Sequence, residues 1–162
     1  MYIGFGSIPV PDPILLITVL NDVLAITNHR FIFCKGWSRL SNLPNHDNLF
    51  IVDEVDHGWL LPKCKTAVYH GGAGTLAAVM KAKIPGIIVS IFGDQPMWGK
   101  MVARKKIGMH IPFRKLTTEK LLQAINETQT TAFRRNAWEA GEKVNAEDGV
   151  KLAIENLEAY FL

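Results

Sequence analysis

Short runs that are apolar on both faces alternate along this chain with segments of helical period, and few folds accommodate that order. Residues 2–6, 31–35, 49–55, 67–70 and 86–91 read as buried strands, and 109–111 as a short last one. Between and after them, residues 13–29, 73–83, 95–106, 118–127 and 131–160 carry helical patterns, the last with a break near 146–149. Residues 59–63 fit a short helical turn. Punctuation agrees with the pattern. Asp12 can accept from free N–H groups ahead of a helix, Pro13 suits its first position, and Pro85 blocks continuation of the helix before it. Strands without a polar face imply a parallel sheet covered on both sides by helices, a Rossmann-like α/β fold. At 162 residues, one domain covering 1–162 is expected, and no repeat, low-complexity tract or interdomain linker divides it.

Bulk properties exclude several classes. Hydrophobic residues at 48% with 20% charged residues describe a globular chain. No apolar run reaches the roughly 20 residues that span a bilayer. The opening MYIGFGSIPV has neither a basic segment nor a long apolar core, so no signal peptide is read and a cytoplasmic location is expected. Cys34 and Cys64 are the only cysteines, with no Cys-x-x-Cys, which argues against a disulfide framework or a zinc site. A net charge of +3 is too small to imply nucleic acid, and Arg104-Lys105-Lys106 reads as the solvated end of a helix.

In such sheets ligands bind beyond the carboxyl ends of the strands, where the strand order reverses. Ser7, Lys35, His57, His70 and Asp94 each follow a strand, so one rim gathers them. The segment from Val68 to Gly99 is the richest part of that rim. Its turn Gly72-Ala73-Gly74-Thr75 opens a helix, where unpaired N–H groups and the positive end of the dipole favour an anion. The same glycines could serve only tight turn-to-helix packing. Asp94-Gln95 offers a charged acceptor beside a mixed donor and acceptor, as hydroxyl-rich ligands require, although Asp94 could also cap a helix. Phosphate at one end and polyol at the other suggest a sugar nucleotide. Gly72-x-Gly74-x-x-Ala77 also satisfies the dinucleotide pattern, leaving NAD binding as a distant alternative. Against it, several elements precede this turn, and Asp94 belongs to a helix-opening turn instead of ending its strand directly. Glu54-x-Asp56-His57 is a lone cluster, so no metal is expected, and the absence of Gly-x-Ser-x-Gly leaves a Ser-His-Asp hydrolase unsupported.

His70-Gly71-Gly72-Ala73-Gly74-Thr75, then Ile84-Pro85, then Phe92-Gly93-Asp94-Gln95-Pro96-Met97-Trp98-Gly99 resembles the donor signature of two-domain GT-B glycosyltransferases. The nearest branch is that of sterol 3-beta-glucosyltransferases and antibiotic glycosyltransferases. Tyr2-Ile3-Gly4-Phe5-Gly6-Ser7-Ile8-Pro9, Lys35-Gly36-Trp37, Trp59-Leu60-Leu61-Pro62 and Glu147-Asp148-Gly149-Val150 follow in the family's order, so the likeness spans almost the whole chain. The resemblance implies the C-terminal, donor-binding half of the fold, with UDP or a UDP-hexose as substrate and no cofactor. It implies further that His70 donates to the phosphates and stabilises the leaving group, that Gly72, Ala73, Gly74 and Thr75 cradle the diphosphate, and that Asp94 and Gln95 hold the hexose. Ser7 falls near the phosphates, Lys35 and Trp37 among the nucleoside contacts, and the backbone of Val55 beside uracil. Trp98 is expected to pack, as a wall of the pocket.

The family's acceptor-binding half, which carries the base for the acceptor hydroxyl, has no counterpart here. The isolated chain is therefore expected to bind a UDP-sugar and transfer it poorly, with an N-terminal domain or partner chain completing the enzyme. Any contact with a membrane surface is expected to run through that other half. A stand-alone donor subunit, as in the two-subunit N-acetylglucosaminyltransferase of the dolichol pathway, or a nucleotide-binding module is the alternative; a start inside the first strand points toward an excised or truncated chain. Leu76, Lys83 and Ser90 depart from a frequent threonine, glycine and proline of the family, and Leu76 could loosen one phosphate contact. Neither the acceptor nor the choice between UDP and TDP sugars is legible.

Overall fold

In the computed structural model, which describes residues 1–36, 40 and 43–161, six strands form one parallel sheet. They are β1 (Tyr2–Gly4), β2 (Phe31–Cys34), β3 (Leu49–Val52), β4 (Ala67–Tyr69), β5 (Gly86–Ser90) and β6 (Gly108–Pro112), arranged in the order β3-β2-β1-β4-β5-β6. Ile3 of β1 registers with Phe33 on one side and Val68 on the other. The chain thus winds outward from β1 to β3, returns to β4, and winds outward the other way. The reversal falls between β1 and β4.

Both sheet faces are covered, as the strands' composition requires. On one face lie α1 (Pro13–Ile26) and α5 (Thr118–Thr128), whose Leu16, Val23, Leu121 and Ile125 meet Ile3, Phe31, Phe33 and Val68. On the other lie α2 (His57–Leu60), α3 (Ala73–Lys81), α4 (Gln95–Arg104) and α6 (Thr131–Ala146), which close over Tyr2, Tyr69 and Ile88. Each fully buried aliphatic side chain in these layers stabilises the fold by about 1.5–3 kcal/mol relative to exposure. The break expected near 146–149 is present: α6 ends at Ala146, and α7 (Gly149–Phe161) is exposed along its length.

Most elements end a residue or two before the sequence pattern suggests, and the two largest shortfalls, at α1 and β3, have local causes. Asp12 does cap α1, its Oδ1 accepting the Leu15 N–H at 2.9 Å. The helix stops at Ile26, short of residue 29, because Thr27 turns to extended backbone (φ −110°, ψ 148°), its N–H making the last ladder bond to the Val23 carbonyl. The Asn48 amide then donates to the carbonyls of Leu24 and Thr27, at 3.0 Å each, satisfying acceptors the helix end leaves open. Strand β3 ends at Val52 because Asp56 draws the chain into α2, its Oδ1 accepting from the N–H groups of Gly58 and Trp59. A 3-10 turn at Leu61–Lys63 completes the helical turn expected there.

Candidate functional site

Because every strand pair is parallel, the loops after β1, β2, β3, β4 and β5 all leave from one end of the sheet, and Ser7, Lys35, Val55, His70 and Asp94 share that end. At the reversal between β1 and β4 three loops meet with almost no side chain between them. Gly36 has φ +52°, and a Cβ there would stand 2.6 Å from the Gly6 carbonyl oxygen. Gly6, at φ +66°, would place a Cβ 3.0 Å from Cε1 of His70. A Cβ on Gly72 would lie 2.4 Å from the His70 Nε2. The imidazole is therefore held between the first and fourth strand-end loops by residues that have no side chain to spare.

His70 is only 7% exposed, and its Nδ1 is buried without a hydrogen-bond partner among the described residues. Burial pushes its pKa below the ordinary histidine value, while the carboxylate of Asp94 pulls the other way. At neutral pH the ring is therefore an uncharged donor–acceptor. Beside it, the first hydrogen bond of α3 runs from the Leu76 N–H to the Gly72 carbonyl at 2.9 Å. The N–H groups of Ala73, Gly74 and Thr75 thus precede the helix's own ladder, and Gly72 offers no side chain to cap them. Gly74 is exposed and faces open space. A neutral ring with an unused polar atom, next to free N–H groups at a positive helix end, suits an anionic oxygen.

The turn from β5 into α4 is built differently. Asp94 stands where a cap would, but its backbone is already helical and its carboxylate makes no capping bond. Instead Oδ2 accepts from the indole N–H of Trp98 at 2.7 Å. Gln95 is buried, and its carbonyl oxygen accepts the N–H groups of Ile91 at 2.7 Å and Phe92 at 3.2 Å. That oxygen braces the turn, which leaves the two N–H donors of the carboxamide for any ligand.

The remaining residues singled out in the sequence sit farther along the rim. Ser7 is exposed in the loop after β1. Lys35 forms an ion pair with Asp53, and Val55 is half-buried between β3 and α2. Trp37 lies outside the described residues. Trp59 is exposed, with the Lys63 ammonium 3.9 Å from its ring centroid. Sequence reasoning missed the hydrogen bond between Tyr2 Oη and His57 Nε2, 2.9 Å long, which ties the first strand to the loop bearing Val55. Nothing in the pattern could have paired residues so far apart. The Trp98–Asp94 bond was legible in principle, because residues four apart share a helix face.

Comparison with known proteins supplies the lineage. A family profile described as erythromycin biosynthesis protein CIII-like, C-terminal domain, matches residues 19–158. Sterol 3-beta-glucosyltransferase UGT80A2 of Arabidopsis thaliana is 41% identical over 156 residues, covering 95% of this chain and 24% of the relative. The chain thus spans about a quarter of that relative's length. Among solved structures, the glycosyltransferase of kitacinnamycin superposes with a TM-score of 0.81 at 16% identity, over 98% of this chain and 42% of the other. UDP-glucose: anthocyanidin 3-O-glucosyltransferase, solved in complex with UDP, gives 0.79 at 20% identity, over 91% and 36%. These likenesses confirm the fold as the Rossmann-like C-terminal half of GT-B glycosyltransferases. With a family match over most of its length and the loop geometry in agreement, the chain belongs to the erythromycin biosynthesis protein CIII-like C-terminal domain family.

Proposed function

We propose that this chain is the donor-binding domain of an inverting glycosyltransferase, taking a UDP-hexose of the UDP-glucose kind and serving its transfer to a sterol, another lipid or a small-molecule hydroxyl. The observation that carries the reading is His70, buried with an unpartnered nitrogen at the start of α3, where the strand order reverses. In this reading the N–H groups of Ala73, Gly74 and Thr75 and the His70 ring receive the diphosphate, with Ser7 and the Thr75 hydroxyl at its flank. Asp94 and the carboxamide of Gln95 meet the sugar hydroxyls, and Lys35, Trp37 and Val55 border the nucleoside.

The chemistry follows from where charge appears. As the bond between the anomeric carbon and the phosphate oxygen breaks, negative charge accumulates on the departing diphosphate. Donors fixed at that position stabilise the transition state more than the bound substrate. Direct displacement with inversion also requires an acceptor hydroxyl held opposite the leaving group and a base to take its proton. Those parts are assigned to an N-terminal domain or partner chain, in keeping with the short span of the relatives that this chain covers. The isolated chain is expected to bind donor and to turn over little of it.

Calorimetric titration of the purified chain with UDP and UDP-glucose, with NAD as control, tests the reading. Saturable UDP binding that His70→Ala abolishes supports it. Binding of NAD in preference to UDP would transfer the site to the dinucleotide class, and rapid sugar transfer by the chain without a partner would contradict the division of labour.

A further inference from the structure

The Trp98 indole is placed to do more than pack. Partly buried, it packs against the cluster that α4 buries on the sheet, while its N–H reaches the Asp94 carboxylate at the rim. Its partner Asp94 has no capping duty, since the Asp94 carbonyl, not the carboxylate, accepts from the first turn of α4, from Met97 N–H at 2.9 Å and Trp98 N–H at 3.2 Å. The carboxylate is exposed and, without the indole, would sample several rotamers. An indole nitrogen is a donor only, so its bond to Oδ2 restricts the plane of the carboxylate. One oxygen is thereby committed to Trp98, and no hydrogen bond among the described residues occupies the other. Gln95, the next residue in the same turn, is held by Ile91 and Phe92 instead, so the two members of the acid–amide pair are positioned by separate braces.

Resting on the donor-domain reading, we infer that Trp98 is a positioning residue for sugar recognition: it pre-orders the Asp94 carboxylate to accept a hexose hydroxyl. The ordering cost is met in the free protein and not on binding, which favours the ligand that carries the sugar over the one that ends at the diphosphate. Loss of a hydrogen bond to a charged group corresponds to about a tenfold change in affinity.

The test titrates the full chain with UDP and UDP-glucose and reads the ratio of the two dissociation constants, in the unaltered chain and in Trp98→Phe, Asp94→Ala and the double variant. Trp98→Phe is expected to shrink the UDP-glucose preference about tenfold. If Trp98 acts through Asp94, adding Trp98→Phe to Asp94→Ala changes the ratio no further, a coupling that loss of mere packing does not produce. Retained UDP binding in each variant reports an intact fold. A ratio within twofold of the unaltered chain in Trp98→Phe, or effects that multiply in the double variant, overturn the inference and leave the donor reading standing. So does an unaltered chain that binds UDP and UDP-glucose equally. Absence of UDP binding by the unaltered chain overturns both.

Discussion

The two turns that face the rim from β4 and β5 solve the same positioning problem with opposite materials. Between β4 and α3 the site is backbone: Gly71 and Gly72 let N–H groups and the His70 ring come close, and a Cβ on either would collide with a neighbour. Between β5 and α4 it is side chain: Asp94, Gln95 and Trp98 do the arranging, and a Cβ on Gly93 would meet nothing within 4 Å. A phosphate carries charge on every peripheral oxygen and can be met by any well-placed N–H. A hexose differs from its epimers only in the direction of single hydroxyls, so its contacts need side chains that can be chosen one by one. At Gly71 and Gly72 the first turn should tolerate no added atom, whereas the second should tolerate added atoms but not lost hydrogen bonds.

Gly71→Ala should produce the largest effect. At φ +96° the backbone disfavours any L side chain, and the new Cβ would stand 2.6 Å from Cγ2 of Ile88, itself fully buried in β5. Strain and overpacking together predict a stability loss of about 3 kcal/mol. Chemical denaturation against the unaltered chain measures it, and a loss below about 1 kcal/mol would mean that the two turns are not sterically distinct.

Titration of His70 sharpens the comparison next. Burial holds its pKa below the ordinary value of about 6.5, so the folded chain binds fewer protons there than the unfolded chain. The stability contributed by keeping the ring neutral is complete above about pH 6.5 and is lost as pH falls toward the lowered folded value. His57 and His110 are shifted the same way by burial and act in the same window. Unfolding midpoints recorded across this range should fall with pH. If a phosphate sits against His70, saturating UDP should raise the His70 pKa, which the ring proton signals in NMR would report. An unmoved pKa would separate His70 from the anion.

The order of strands and helices was legible because it depends on burial, which apolar runs report directly. The glycine turn and the Asp94-Gln95 pair were legible as a candidate site because local spacing places them on a helix start. Where local pattern failed, a distant residue had intervened. Asn48 receives the end of α1 across the sheet edge, and Gly36 is needed because the Gly6 carbonyl lies against it. The division of tasks between Asp94 and Gln95 was hidden for another reason. Both side chains suit hydroxyls, and only the geometry of Trp98, Ile91 and Phe92 reveals which polar atoms are already occupied.

Gly93→Ala is the counterpart in the side-chain turn. The residue has φ +65° but open space around it, so only the left-handed backbone is penalised, by about 1 kcal/mol. A loss comparable to that of Gly71→Ala in the same denaturation series would dissolve the contrast between the turns.

The smallest change in stability belongs to Gly74→Ala, and it is the most discriminating for function. Gly74 lies in the first turn of α3, its φ outside the left-handed region, with nothing within 4 Å of where a Cβ would be. Alanine restricts the unfolded chain and favours the helix, so the variant should gain about 0.5 kcal/mol. The space is open to solvent in the free chain, and under the donor reading it lies beside the diphosphate. A methyl group there should weaken UDP binding while the fold becomes slightly more stable, and the opposed signs cannot arise from damage to the fold. Equal or tighter UDP binding by a stabilised Gly74→Ala chain would place the phosphates elsewhere on the rim and reduce the glycine at that position to a packing residue.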